Sequence, residues 1–467
     1  MKDLRNYVEL LSKGYPEQIV NITREVSPEF EITALLFKLE DEGLYPALVF
    51  QNVKNLLGAK SGMGVAVNLF ADRRRLALSL DLLPEECRTE VSQRYLARRE
   101  NRIKPELISK KEAPVKEFVK RGNADLRALP VVTHHEMDSG PYLTMPVVTK
   151  DPDTGVYNAS FHRIWVKGPR DTGISLAPRH TWDYYVRYEK KGIPMPVAVV
   201  LGHHPGFCLG AMASVPIDAD EYEVIGGLLN EPLRLVPSET WGDDFLVPAD
   251  AEIVVEGEVP AKIREVEGPF GEFTGYYGGQ RLNPVIKVKA ITHREAPILQ
   301  TVFAGHRDHD CFLAVAMEGD IFAAVKPAVP SVKAVHIPPS GKGYNCYISL
   351  LKRYEGAGKL AATAALPVHD FVKHVIVVDD DIDVFNEKEV LFALATRVQG
   401  SADIEIIKGI RGNILDPSST RSPLWDNVII DATRPISRPF ETRVNVPREV
   451  YDRIDLARFV PKLKERR

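Results

Sequence analysis

The sequence predicts an α+β chain of several domains, and three observations predict it. Its 467 residues suffice for about three domains at roughly 150 residues each. The first and last thirds mix helical and strand periodicity, whereas the middle is dominated by short β runs bounded by turn residues. Hydrophobic residues at 44% and charged residues at 27% are the proportions of a folded globular chain without extended disorder.

In chain order, Ser27-Pro28-Glu29 reads as a helix start, with a capping hydroxyl, proline at the first helical position and an acid in the first turn. That helix should carry Ile32, Leu35, Leu36 and Leu39 on one face. Residues 45–50 read as a strand, and the charged stretch 98–120 as a solvated helix and linker. In the middle, 197–202, 252–257 and 284–290 read as strands preceded by a helix at 181–191. In the last strand Ile286, Val288 and Ala290 face one way while Lys287 and Lys289 face water, so a barrel or sandwich core follows. In the final third, 375–378 is a buried strand, Asp379-Asp380-Asp381 follows it, and 387–396 is the next helix. Acids at the carboxyl end of a strand suit a metal or ribose site, although an ordinary solvated strand-to-helix turn is the plainer reading. The charge-rich end, closing on Lys462-Leu463-Lys464-Glu465-Arg466-Arg467, either packs on a partner subunit or stays mobile.

Composition narrows the function classes. A net charge of −4 leaves no global basic field to recruit nucleic acid or an anionic membrane. Cys87, Cys208, Cys311 and Cys346 show no C-x-x-C spacing, which argues against a structural zinc site and a disulfide framework and for a reducing, cytoplasmic compartment. The opening Met1-Lys2-Asp3-Leu4-Arg5 lacks the apolar core of a signal peptide. No run approaches the ~18 apolar residues of a membrane span.

The chemistry gathers in Val266-Glu267-Gly268-Pro269-Phe270-Gly271-Glu272. Glycine and proline hold this segment out of a helix, where positions five apart would splay, so both carboxylates can bend towards one pocket. Proton transfer, or an acid paired with a buried cation, would follow; solvated turn glutamates are the plainer reading. Upstream lie Asn158-Ala159-Ser160-Phe161-His162-Arg163, Ala177-Pro178-Arg179-His180 and Asp220-Glu221-Tyr222. Asn, His and Glu together offer oxygen, nitrogen and oxygen to manganese or magnesium with phosphate oxygens completing an octahedron; His180 also reads as a simple helix-start histidine. Arg163, on an expected strand, needs an acid partner if buried, which Glu267 or Glu272 could supply, and its fork could grip a substrate carboxylate. A purely structural Arg-Glu pair fits as well.

The ordered set N-x-x-x-x-R, P-x-H, E-Y-x-V-x-G, E-G-P-F-G-E and K-x-V-I-V-V-D-D-D-I-D resembles the UbiD family of reversible decarboxylases. Leu129-Pro130-Val131, Asp138-Ser139-Gly140-Pro141-Tyr142, Val247-Pro248-Ala249 and Ala393-Leu394-Ala395-Thr396-Arg397 fit it too, so the resemblance spans nearly the whole chain. It implies an α+β multidomain fold: an N-terminal α/β domain (1–115), a central split β-barrel binding prenylated FMN (116–305), a C-terminal α/β domain (306–440), and a tail (441–467) in subunit contact. Carried over by position, Asn158, His180 and Glu221 match the ligands of manganese (or magnesium), with potassium alongside. Glu221 is preferred to Glu223 because Glu-Tyr-x-Val-x-Gly is intact from it. Ser160, Arg163, Arg179, Ser214 and Lys373 match cofactor-binding positions, although Lys373 also reads as a solvated strand-end lysine.

The implied reaction is reversible decarboxylation through a covalent adduct with prenylated FMN, the flavin acting as electron sink. Arg163 would orient the carboxylate, Glu267 would hold Arg163, and Glu272 would deliver the proton. Many family members acting on acrylic-type acids or ubiquinone precursors carry Tyr-Arg where this chain has His162-Arg163, and His-Arg resembles the branch for phenolic and other aromatic or heteroaromatic acids. His162 could equally face away, because adjacent strand residues point to opposite faces. His309, in the His- and Arg-dense loop 304–310, is a candidate pocket residue, and the apolar Met317 leans the reading towards a monocarboxylate. Implied partners are a small aromatic acid, carbon dioxide, a UbiX-like flavin prenyltransferase supplying the cofactor, and further copies of the chain as a homodimer or larger homo-oligomer. Competing classes are an FMN-dependent oxidoreductase on a split barrel and a non-catalytic subunit of a multi-component carboxylase.

Overall fold

The structure, a computed structural model, describes residues 1–419 and 424–460. Its N-terminal sheet runs Ile19–Ile22, Ala47–Phe50, Gly64–Val67 and Ile298–Gln300 in spatial order. The expected strand at 45–50 is Ala47–Phe50, and all of it is buried. The helix expected from Ser27-Pro28-Glu29 instead spans Glu31–Asp41. Tertiary pairing overrides the cap: Thr133 N donates to Pro28 O at 3.0 Å and Phe30 N to Thr133 O at 3.2 Å, while Phe30 turns into the left-handed region at φ 62°. Within the helix Ile32 and Leu36 are buried as their spacing demands, with Leu35 and Leu39 packed against the same core.

The stretch 98–120 is less solvated than its charge suggests. Arg98 is buried and donates to Asp81 at 2.6 Å, and the Lys116 ammonium is buried between Glu239 at 3.5 Å and Glu256 at 3.4 Å. Sequence composition counts these cations as surface; only distant carboxylates make their burial tolerable.

The central sheet has ten strands, with Tyr142–Leu143, Ile164–Val166, Asp171–Ile174, Arg281–His293, Ile253–Val259, Met195–Leu201, Pro146–Lys150 and Tyr157–Phe161 along its main path. Arg281–His293 also pairs with Arg264–Glu267 and Phe118–Lys120. Ile286, Val288 and Ala290 are buried, whereas Lys289 is exposed and Lys287 half-buried. Among the described residues no pairing joins the two ends of the path, so hydrogen bonds do not close it into a barrel.

The C-terminal sheet runs Val332–His336, Asn345–Leu350, His374–Asp379, Leu424–Ala432 and Ile404–Arg411. The aspartates after its third strand hold arginines: Arg397 Nη1 donates to Asp379 at 2.9 Å and Arg397 Nη2 to Asp381 at 2.7 Å. They pin the helix Glu387–Arg397, so the ion-pair role displaces the metal and ribose reading. The tail forms the exposed helices Arg448–Arg453 and Leu456–Phe459; the basic end 462–467 lies outside the described residues. No helix among the described residues is long and apolar enough to cross a membrane.

One helix ties these parts together. Arg307–Ala328 has 22 residues and spans about 33 Å at 1.5 Å per residue. The stretch read as a loop at 304–310 contains its start, because His306 Nδ1 accepts from Asp308 N at 3.3 Å and Asp308 and Asp310 complement the first turn. Phe312, Val315 and Ala316 enter the N-terminal and central core, while Leu313, Ala314, Met317 and Ile321 enter the C-terminal core. Midway, the fully buried Glu318 accepts from Arg73 Nη1 at 3.0 Å, Arg73 Nη2 at 2.9 Å and Ile337 N at 3.1 Å, and pairs with His336 at 2.8 Å.

Removing Glu318 would strand a mostly buried guanidinium, so Glu318→Ala should cost about 3–5 kcal/mol, read by urea unfolding. Burial opposes the Glu318 charge, but Arg73 and His336 outweigh it and hold its carboxyl below the ordinary 4.5. The stability it contributes is therefore fully present above that value and lost as pH falls through the lowered one. Wild type should consequently lose its advantage over Glu318→Ala in acid.

Candidate active site

His162 and Arg163 occupy the break between strands Tyr157–Phe161 and Ile164–Val166. Arg163 was expected on a strand, where its neighbour would point away; the break lets both adjacent side chains line one cavity. The His162 ring bonds Ser175 O at 3.0 Å through Nδ1, and Ser160 Oγ at 3.0 Å and Thr181 Oγ1 at 3.2 Å through Nε2. Burial pushes its imidazole down to about 4, so it is neutral at pH 7.

Strand Arg264–Glu267 ends on the first acid of the motif, and a short hairpin, Phe270–Gly271 against Tyr277–Gly278, precedes and follows the second. Gly268 takes φ +89° at the corner, a conformation open to glycine at little cost. Glu267, with no exposed side-chain surface, accepts Arg163 Nε at 3.0 Å and Nη2 at 2.7 Å in a bidentate pair. Tyr142 Oη donates to Glu267 at 3.2 Å and Asn283 Nδ2 at 2.9 Å, so both carboxylate oxygens are occupied. Arg163 Nη1 pairs with Glu272, and the guanidinium carbon sits 5.5 Å from the Phe270 ring centroid. Burial opposes the Arg163 charge, yet Glu272 and Glu267 hold its pKa above the ordinary value. Burial raises the Glu272 pKa; Arg163 opposes this and the Glu267 charge adds to it.

Lining the same cavity, Asn158 lies on Tyr157–Phe161, His180 opens the helix His180–Lys191, and Glu221 opens the helix Glu221–Leu229. Glu221, 4% exposed, accepts Ala159 N at 2.5 Å and faces His180 Nδ1 at 3.4 Å. Its pKa is raised by burial, which the His180 contact only partly opposes. A buried carboxylate facing an imidazole, with an asparagine amide lining the same cavity, is a donor set that suits a hard or borderline divalent cation. Asn158 Nδ2 donates to Ser160 Oγ at 3.0 Å and Thr181 Oγ1 at 3.1 Å. Glu223 does not line the cavity.

The cavity holds about 560 Å³, within the range of ligand sites. Asn158, Ser160, His162, Arg163, Arg179, His180, Ser214, Glu221, Glu272, His309 and Met317 all line it. Glu267 stands behind Arg163, outside the lining. Lys373 is not a lining residue either: Asp416 at 2.8 Å and Ser418 at 2.6 Å hold its ammonium. Sequence reasoning assigned no role to Tyr142, Asn283 or Thr181. Tyr142 closes the Asp138-Ser139-Gly140-Pro141-Tyr142 segment, but a tyrosine beside proline also reads as core, and nothing local distinguishes Asn283 from other strand residues.

Three family models match the chain in order. They are described as the N-terminal domain (15–95), the Rift-related domain (106–307) and the C-terminal domain (311–432) of UbiD, 3-octaprenyl-4-hydroxybenzoate carboxy-lyase. The anhydromevalonate phosphate decarboxylase of Methanothermobacter thermautotrophicus is 35% identical over 93% of this chain and 97% of its own. The phenolic acid decarboxylase of Sedimentibacter hydroxybenzoicus is 33% identical over 96% and 95%. The solved UbiD-class enzyme HmfF from Pelotomaculum thermopropionicum, in complex with FMN, superposes with TM-score 0.89 at 39% identity, covering 98% of this chain and 100% of that one. Its evolved dimeric form, in complex with prFMN, superposes with TM-score 0.87 at 37% identity over the same shares.

A β-carbon on Gly271 would fall 2.2 Å from His135 Nδ1, and that ring is walled in by Phe270, Tyr277 and Phe303. Gly271→Ala should therefore destabilise the fold by about 1–3 kcal/mol through overpacking, measured as a lower denaturation midpoint.

Proposed function

The chain belongs to the UbiD family of carboxy-lyases, and from that premise we propose that it reversibly decarboxylates an aromatic or heteroaromatic monocarboxylic acid with prenylated FMN as cofactor. The observation that carries the reading is Arg163, fixed from behind by Glu267 and paired in front with a Glu272 whose acid form is favoured by burial. A split-barrel reading of the central sheet agrees with it. So does supply of the flavin by a UbiX-like prenyltransferase to a homo-oligomer.

Prenylated FMN, when bound, supplies an electron sink for the pair released as the carbon–carbon bond breaks. Asn158, His180 and Glu221 would hold manganese, or magnesium, for its phosphate, with potassium as a further cation and Ser160, Arg179 and Ser214 alongside. Glu267 fixes the plane of the Arg163 guanidinium, leaving its Nη1 edge, now paired with Glu272, on the cavity side. That edge orients the substrate carboxylate. Glu272 in its acid form gives a proton to the carbon that loses carbon dioxide. Water is limited there because Phe161, Phe270, Phe273 and Phe371 line the same cavity.

Those rings suit a flat apolar substrate. A phosphorylated acid, of the kind named for the archaeal relative, would need cations beyond Arg163. His309 is pushed down to about 4 by burial, with Lys342 adding to it, so it and His162 are neutral; Met317 is apolar, and Arg179 is held by Asp370 at 2.8 Å. Carbon dioxide release from 4-hydroxybenzoate, 3,4-dihydroxybenzoate and furan-2-carboxylate, run against anhydromevalonate phosphate, tests the choice. Turnover of the phosphorylated acid alone would reject the aromatic reading.

Glu272→Gln should lower kcat by about 10²–10⁴-fold with flavin retained. Because the pKa of Glu272 is raised, its acid form persists to higher pH, and wild-type kcat should fall as pH rises through that value. Chelation of the divalent ion, or Glu221→Ala, should release flavin on gel filtration, seen as lost absorbance.

A further inference from the structure

The proton donor is three residues past a proline and directly follows a glycine, on a loop that its own hydrogen bonds close but do not tie to the rest of the fold. What fixes it comes from a separate segment, 135–139, none of whose residues line the cavity. The Asp138 side chain has no exposed surface. Its Oδ1 accepts Gly271 N at 2.7 Å, one residue before Glu272, and its Oδ2 accepts His135 N at 2.9 Å. The same segment reaches the hairpin twice more, through Ser139 N to Pro269 O at 3.0 Å and Met137 N to Tyr277 Oη at 3.1 Å. The His135 ring packs on Gly271 so closely that no side chain fits there. Of these contacts only Asp138 brings a carboxylate, and hydrogen bonds to a charged acceptor are about twice as strong as neutral ones.

We propose that Asp138 is a positioning residue for proton delivery, gripping the Gly271 amide so that the Glu272 carboxyl stays seated between Arg163 and the reacting carbon. This rests on Glu272 being the proton donor. An error of about 1 Å at a reacting group can cost 10²-fold in rate, and the Glu272 loop is otherwise closed by its own hydrogen bonds, Glu272 N to Tyr276 O at 2.9 Å and Gly275 N to Glu272 O at 3.0 Å. The charged and titratable groups acting on Glu272 are Arg163, Glu267 and Arg281, with Tyr344 also coupled to it. A loosened loop moves Glu272 towards water and away from Arg163 and Glu267 alike; because burial and Glu267 together outweigh Arg163 in the seated loop, its pKa falls back towards the ordinary value.

The test uses holoenzyme carrying Asp138→Ala, Asp138→Asn or Glu272→Gln, assayed with the best-used acid of the panel above, and hydrogen exchange of peptides covering 266–278. Asp138→Ala should lower kcat about 30- to 100-fold with KM changed less than about 2-fold. It should also shift the alkaline limb of the kcat profile to lower pH and speed exchange at the hairpin. Asp138→Asn keeps one carbonyl acceptor, so it should lie between Ala and wild type and serves as the informative variant if Ala does not fold. Wild-type kcat and pH profile in both Asp138 variants, or a loss confined to KM, overturns the positioning role while an inactive Glu272→Gln leaves the proton donor standing. An active Glu272→Gln overturns the donor assignment, and this role with it.

Discussion

A buried guanidinium that cannot be neutralised is the constraint on which the site depends. Arg163 stays charged at any physiological pH, and removing it from water is costly unless good geometry and further hydrogen bonds compensate. Glu267 compensates with both oxygens, and Tyr142 and Asn283 fill what capacity remains. Two acids beside one cation then differ in kind. The first acid has all its accepting capacity taken by four donors, while the second, sharing the cation at the cavity wall, is the one whose proton burial favours.

The same logic of a charge held from several directions recurs where the domains meet. Glu318 on the long helix binds Arg73 from the N-terminal part and His336 from the C-terminal sheet. The apolar neighbours of that helix divide between two cores, with Met317 at the cavity wall. The cavity is thus bounded by the central sheet on one side and by this helix and residues His369, Phe371 and Leu415 on the other.

Much of this was legible in the sequence, for physical reasons. Alternation in Arg281–His293 marked a half-buried strand, and the helix His180–Lys191 lay within a residue of its expected position. Eleven of the expected site positions line one cavity, and most of them sit in ordered motifs, whose spacing reflects where strands and helix starts deliver side chains. Long-range pairing was not legible. Ser27 looked like a cap until Thr133 claimed its neighbours, and Arg98 and Lys116 looked solvated until their carboxylates came from elsewhere in the chain. Lys373 at a strand end had two readings, and Asp416 and Ser418, more than forty residues on, engage it. The break at His162 and Arg163 depends on where two strands stop pairing, which a period-two pattern does not reveal.

The strand Ile298–Gln300 completes the N-terminal sheet by pairing parallel to Gly64–Val67. During synthesis that earlier strand emerges some 230 residues before its partner, a delay of about 10–45 s at ribosomal rates of 5–20 residues per second. Until then the nascent sheet presents an unpaired apolar edge, the feature that invites strand addition from other chains. The N-terminal sheet is therefore complete only once the end of the central domain has been translated.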